Sequence, residues 1–232
     1  LGEWIKWCLE AWVISHLAEI HARSLEAGIV DGRSMVVSAP TSAGKTLVEE
    51  SAVLSTLRSG GRAIYLVAHK ALAGQKYLDF DSRFGESAVS PIATVGLHTG
   101  DRSEGEMDAR LVVATYEKAL GLILTGQLTL SNALVVADEL QILGERGGGQ
   151  DNEALCSVFR QRGLKQFVAL TATVENPEDI AHWMRCETTS SSNRDVPLHQ
   201  EIWYENNAYC LTVGSESGSE TAVQSFSPGD VT

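Results

Sequence analysis

Apolar residues are spaced in two different ways along the 232-residue chain. Trp4, Trp7, Cys8, Leu9 and Trp12 recur at helical spacing, and Ile14, Leu17, Ala18, Ile20 and Leu25 continue that stripe to Gly28, which predicts helices up to that glycine. The three tryptophans read as a packing face rather than a platform for stacked bases. From Ser34 onward the helical period gives way to short, continuous apolar runs at 35–39, 63–67, 92–95, 111–114, 134–137 and 167–170. Strands buried on both faces have this character. Helix-compatible segments lie between the runs at 46–59, 70–84, 116–124, 152–160 and 178–184. Strand and helix thus alternate, predicting an α/β fold: a doubly wound, mostly parallel sheet flanked by helices, with any site at the carboxyl ends of the strands. Residues 188–193 read as a polar loop, 198–213 as a strand pair, and 214–232 as a Ser/Gly/acidic tail. Three parts follow: an N-terminal helical segment at 1–33, an α/β domain at 34–186, and the loop, strand pair and tail at 187–232.

With 44% hydrophobic and 21% charged residues, the composition is that of an ordinary globular protein. No apolar run approaches the about 18 residues of a membrane span, and the start lacks a signal peptide's basic flank, so an intracellular protein without a membrane partner is expected, cytoplasmic in a prokaryote or nuclear in a eukaryote. Cys8, Cys156, Cys186 and Cys210 are widely separated, which suits a reducing compartment and a packing role. His16, His98, His182 and His199 have no ligand spacing. The net charge of −12 argues against a broad basic face for nucleic acid. From residue 187 onward, however, seven acids stand against Arg194 alone, so half of that charge belongs to the tail.

Chemistry enters at Ala39-Pro40-Thr41-Ser42-Ala43-Gly44-Lys45-Thr46, which closes an apolar strand and opens a helix. In that context backbone N–H groups cradle phosphates at a helix N-terminus, Lys45 reaches the terminal phosphates, and the Thr46 hydroxyl holds Mg²⁺. Ala39 stands where the strict pattern has its first glycine. A second signal is Leu134-Val135-Val136-Ala137-Asp138-Glu139, where two carboxylates follow a buried strand. Alone this is a common strand end. Paired with a phosphate loop it assigns Asp138 to Mg²⁺ and Glu139 to the attacking water, and so predicts hydrolysis of ATP.

These two stretches, followed by Thr171-Ala172-Thr173, resemble motifs I, II and III of superfamily 2 helicases. Val67-Ala68-His69-Lys70-Ala71-Leu72 is similar to motif Ia, Thr99-Gly100-Asp101 to motif Ib, and Thr115-Tyr116-Glu117-Lys118 to the Thr-x-Glu-Lys element that follows. The superkiller-like branch fits best, and within it the archaeal repair helicases and the helicase domain of DNA polymerase theta. Asn176-Pro177-Glu178-Asp179-Ile180-Ala181-His182-Trp183 and Arg194-Asp195-Val196-Pro197-Leu198 are similar to further segments of that branch, and the resemblance spans roughly residues 17–213. It implies a P-loop, RecA-like domain with ATP and Mg²⁺ as cofactors. Thr41, Ser42, Ala43, Gly44, Lys45 and Thr46 would hold the nucleotide, with His21 where the family carries a base-reading glutamine. His69, Lys70, Thr99, Gly100, Thr115 and Lys118 would touch a strand's phosphates. Gln141, in place of the motif II histidine, would couple hydrolysis to movement with Thr171 and Thr173.

The sequence departs from the family at His21, at Gln141, at the glycine-rich Gly148-Gly149-Gln150-Asp151-Asn152 and at Asp195. Motifs IV to VI of a second RecA-like domain, with their arginine finger, are not present in this sequence, so the chain is expected to be one half of a motor. The first reading is an ATP-dependent helicase acting 3′ to 5′ on single-stranded or forked nucleic acid, DNA before RNA. The alternatives are an RNA helicase of the same branch, suggested by Gln75-Lys76-Tyr77-Leu78-Asp79-Phe80, and a nucleotide-regulated binding module without turnover.

Overall fold

A computed structural model describes residues 17–40, 43–141, 149–162, 164–172, 176–193, 199–204, 207–212 and 223–226. These run α1 (Glu19–Glu26), a 3-10 turn (Ile29–Asp31), β1 (Met35–Ser38), α2 (Lys45–Arg58), β2 (Arg62–Val67), α3 (Lys70–Phe84), β3 (Val95–His98), β4 (Ser103–Glu104), β5 (Leu111–Thr115), α4 (Tyr116–Leu124), β6 (Ala133–Ala137), α5 (Gly149–Arg162), β7 (Gln166–Thr171), α6 (Pro177–Met184), β8 (Glu187–Ser190), β9 (His199–Tyr204), β10 (Asn207–Thr212) and β11 (Val223–Phe226).

Eight strands form one sheet in the order β4-β3-β5-β2-β6-β7-β1-β8. Every pairing in it is parallel except that of β4 with β3. Alternating residues of the inner strands feed two separate cores, as the period-2 geometry of a strand demands. Met35, Val37, Tyr65, Val113, Val136 and Val168 pack beneath α1, α2 and α3. Val36, Ile64, Leu66, Val112, Val135 and Phe167 pack beneath α4, α5 and α6 on the opposite face. Burial on both faces explains why these strands read as unbroken apolar runs.

Strands β4 and β11 are not expected from the sequence, and two other elements differ from its reading. The strand expected at 92–95 lies at Val95–His98. The N–H groups of Ile92 and Ala93 both donate to the Phe84 carbonyl, at 2.9 and 3.0 Å, and fold this stretch over the end of α3. Gly96 interrupts the apolar run that would have marked the true strand; a Cβ there would lie 2.9 Å from the Glu106 carbonyl and 3.2 Å from Ala109. The polar run at 188–193, expected as a loop, begins as β8, a sheet-edge strand in which Thr189 is buried and Glu187 exposed. One covered face and one open face let such a strand be polar.

The expected strand pair is present as antiparallel β9 and β10, with Tyr204 opposite Asn207. The tail adds β11 to it, in a separate three-stranded sheet.

Candidate nucleotide and strand-binding sites

The phosphate loop begins where β1 ends and closes at Gly44, the N-cap of α2, with φ of 81°. Left-handed backbone of this kind favours glycine. The loop is braced from α1: the His21 Nδ1 accepts the Ala18 N–H at 3.1 Å, so Nε2 carries the proton and donates to the Gly44 carbonyl at 2.7 Å. His21 thus joins the helix before β1 to the loop after it. Lys45 lies along the loop, its Nζ donating to the carbonyls of Ala39 at 2.6 Å and Pro40 at 3.1 Å. The next residue, Thr46, is exposed. Thr41 and Ser42 lie outside the described residues.

Across the cleft, β6 delivers Asp138 and Glu139. Both oxygens of Asp138 are engaged: Oδ2 accepts the Tyr65 hydroxyl at 3.0 Å and Oδ1 the Glu139 N–H at 2.9 Å. Glu139 has φ of 56°, a conformation uncommon for a residue with a side chain and typical of functional sites. Gly44, Lys45, Thr46, Glu49, Asp138, Glu139, Gln141 and Ala172 line one cleft of about 340 Å³. A lysine and a threonine hydroxyl facing two carboxylates fit a phosphate chain with Mg²⁺, because that ion takes one or two carboxylates and completes its shell with phosphate and water oxygens. Among the described residues no group of three or more His, Cys, Asp or Glu could form an all-protein metal cage.

Gln141 reaches the end of β7, its Oε1 accepting the Thr171 hydroxyl at 3.2 Å and the Ala172 N–H at 3.1 Å. The acidic strand end and the Thr-Ala segment are therefore physically joined. Thr173 lies outside the described residues, as do the N-terminal tryptophans, Gly148 and 194–198.

The remaining candidates lie at the carboxyl ends of β2, β3 and β5. His69 is the N-cap of α3 after β2, and Thr115 caps α4 after β5, its hydroxyl accepting the Lys118 N–H at 3.4 Å. Thr99 follows β3 and holds the next turn, donating to Asp101 at 2.9 Å and accepting the Arg102 N–H at 3.1 Å. Lys70 pairs with Asp101 at 3.4 Å, and Gly100 lies beside it. The Thr99 hydroxyl, aided by Lys70, holds the Asp101 carboxyl below the usual range. The sheet order sorts these groups: β3, β5 and β2 supply one neighbouring set, and β6, β7 and β1 supply the lining of the nucleotide cleft.

Residues 18–180 match the family of DEAD/DEAH box helicases. The chain belongs to this family. It is 34% identical over 206 residues to the ATP-dependent DNA helicase Hel308 of Aeropyrum pernix and 36% identical over 202 residues to that of Methanocella arvoryzae. These alignments cover 87% and 82% of the chain but only 27% and 26% of the relatives, so the chain spans about a quarter of their length. Among solved structures, the DNA-bound helicase MrfA has a TM-score of 0.66 at 22% identity, covering 83% of this chain and 29% of that one. Yeast Dbp5 bound to RNA and ADP BeF3 has a TM-score of 0.65 at 21% identity, covering 85% and 52%. These likenesses carry the RecA-like helicase fold that the motif order implies.

Within the helicase fold, a cluster below the cleft was not visible in the motifs. Glu49 lies on α2 one turn beyond Thr46, is 2% exposed, and forms an ion pair with Lys76 of α3. Burial pushes its carboxyl up to about 8 against the pull of Lys76. Tyr65 of β2 is fully buried between Lys76, whose Nζ is 5.0 Å from the ring centroid, and Asp138. One available signal was a tyrosine within an aliphatic strand; another was Glu49 on the buried side of a helix.

Proposed function

We propose that this chain is the ATP-binding part of a helicase or translocase that hydrolyses ATP in response to nucleic acid. The observation that carries this reading is the single cleft in which Lys45 and Thr46 face Asp138 and Glu139. In this reading Lys45 and the loop N–H groups hold the terminal phosphates, while Thr46 and Asp138 hold Mg²⁺. The bound ion neutralises charge on the phosphate oxygens. Glu139 orients a water and takes its proton as the water oxygen bonds to the terminal phosphorus, and the bond to the leaving ADP oxygen breaks. His21 sets the loop from the side on which the base would lie. Gln141, Thr171 and Thr173 pass the result to a second RecA-like domain, whose arginine would raise the rate by about 10³–10⁵.

His69, Lys70, Thr99, Gly100, Thr115 and Lys118 track the phosphates of one strand. Helix caps, hydroxyls and two lysines suffice for this contact without base readout, which reconciles it with the acidic composition. DNA is favoured over RNA because the sequence relatives are named DNA helicases, and 3′-to-5′ polarity follows the family resemblance. The α/β unit of 34–186 would act as one body, with the described residues 17–33 packed on it and 187–232 leading toward the second domain.

The test is Mg²⁺-dependent ATP turnover of the full-length protein with no strand, single-stranded DNA or RNA, beside Glu139→Gln. Turnover stimulated more by DNA and abolished in the variant, with nucleotide binding retained, is the expected result. Nucleotide binding without turnover under any strand would replace the motor with a regulatory binding module.

A further inference from the structure

The structure assigns Tyr65 as the positioning residue of Asp138, held in place by the buried Lys76–Glu49 pair and thereby tied to the helix that begins with His69 and Lys70. This inference rests on the nucleotide and strand reading above. Asp138 follows β6 and Tyr65 belongs to β2, the neighbouring strands at which the cleft lining gives way to the strand-facing set. The Tyr65 hydroxyl crosses that boundary to the carboxylate, donating to Oδ2 at 3.0 Å, while Tyr116 at the start of α4 donates to the Asp138 backbone carbonyl at 2.8 Å. With Oδ1 on the Glu139 N–H and the backbone N–H of Asp138 on the Leu66 carbonyl at 3.0 Å, the carboxylate plane is fixed. Each oxygen keeps a second lone pair for the cleft, where a metal or its water shell would take it.

Tyr65 is itself fixed. Its ring meets Phe80 edge-on with centroids 5.0 Å apart, and the Lys76 ammonium stands at the ring face. The Glu49 carboxyl lies against the same hydroxyl. Lys76 is 13% and Glu49 2% exposed, so the pair cannot separate without a large desolvation cost. Lys70 lies six residues before Lys76, about 9 Å along one rigid helix. A displacement of α3 on engaging a strand would reach Tyr65 through Lys76, and Asp138 through Tyr65. Contiguity makes this path available; energetic coupling is what the experiment measures.

In the full-length protein, the affinity of fluorescent ADP is measured in Mg²⁺ and in EDTA for wild type and Tyr65→Phe, which keeps the ring and removes one charge-assisted hydrogen bond. The Mg²⁺-dependent gain in affinity should shrink about tenfold while the affinity in EDTA stays within about twofold. An undiminished gain overturns the assignment. The double variant Lys76→Met/Glu49→Gln leaves no lone buried charge, and stimulation of its turnover by single-stranded DNA should drop at least about threefold. Undiminished stimulation overturns the link to α3. A wild-type protein without any Mg²⁺-dependent affinity removes the nucleotide reading itself, and the inference falls with it.

Discussion

Substituting alanine for Gly44 tests the brace between His21 and the phosphate loop. The residue has φ of 81°, and a Cβ there would lie 2.8 Å from Cε1 of His21 and closer still to Nε2, so the ring must move. The left-handed backbone costs alanine about 1–2 kcal/mol. A displaced ring forfeits its bonds to the Gly44 carbonyl and the Ala18 N–H, together about 2 kcal/mol. Gly44→Ala should therefore destabilise by about 3–4 kcal/mol, or roughly 6–16 °C in Tm for a domain of this size. His21→Ala loses the same two bonds without the strain, about 2 kcal/mol. In the double variant those bonds are lost once, so the total should be about 3–4 kcal/mol rather than the additive 5–6. Urea denaturation of all four proteins gives the cycle. Additivity to within about 0.5 kcal/mol would refute the reasoning, since independent sites add that closely.

Other outcomes follow from contacts already described. Gln141→Ala removes the acceptor shared by Thr171 and Ala172; nucleotide affinity should hold while strand-stimulated turnover falls about tenfold, measured by steady-state kinetics. His98 is 1% exposed, and among the described residues neither ring nitrogen has a partner of hydrogen-bonding geometry. Burial lowers its pKa against a weaker upward pull from the nearby Glu106 carbonyl, and the Lys118 and Arg62 charges lower it a little further. The unfolded chain then takes up the proton first, so stability is full above the ordinary histidine value near 6.5 and declines as pH falls below it. His98→Leu should flatten that decline in melts between about pH 7 and 5, and an unchanged slope would remove His98 as its source.

What the sequence made legible depended on whether a signal was local. The apolar run at 35–38 followed by Gly-Lys-Thr specified β1, the loop and α2 together, because strand, turn and helix signals agree within a dozen residues. Asp138 and Glu139 were legible as the end of an apolar strand, and their partnership with Lys45 followed from motif order. The position of β3 was not, since Gly96 breaks the run where backbones approach most closely. Nor was β8, whose polar sequence meets the needs of an edge strand. The Tyr65, Lys76 and Glu49 cluster draws on β2, α3 and α2 at once, and no periodicity within one element brings those three residues together.

The ion pair between Lys70 and Asp101 bears on how a motor lets go. On the strand reading proposed above, a phosphate reaching Lys70 displaces an anion that the fold keeps within 3.4 Å, and a departing phosphate hands the lysine back to it. Both groups are more than half exposed, so the exchange costs little. On that reading grip and release would be nearly balanced substitutions at this contact, and a stepping enzyme would profit more from such parity than from tenacity.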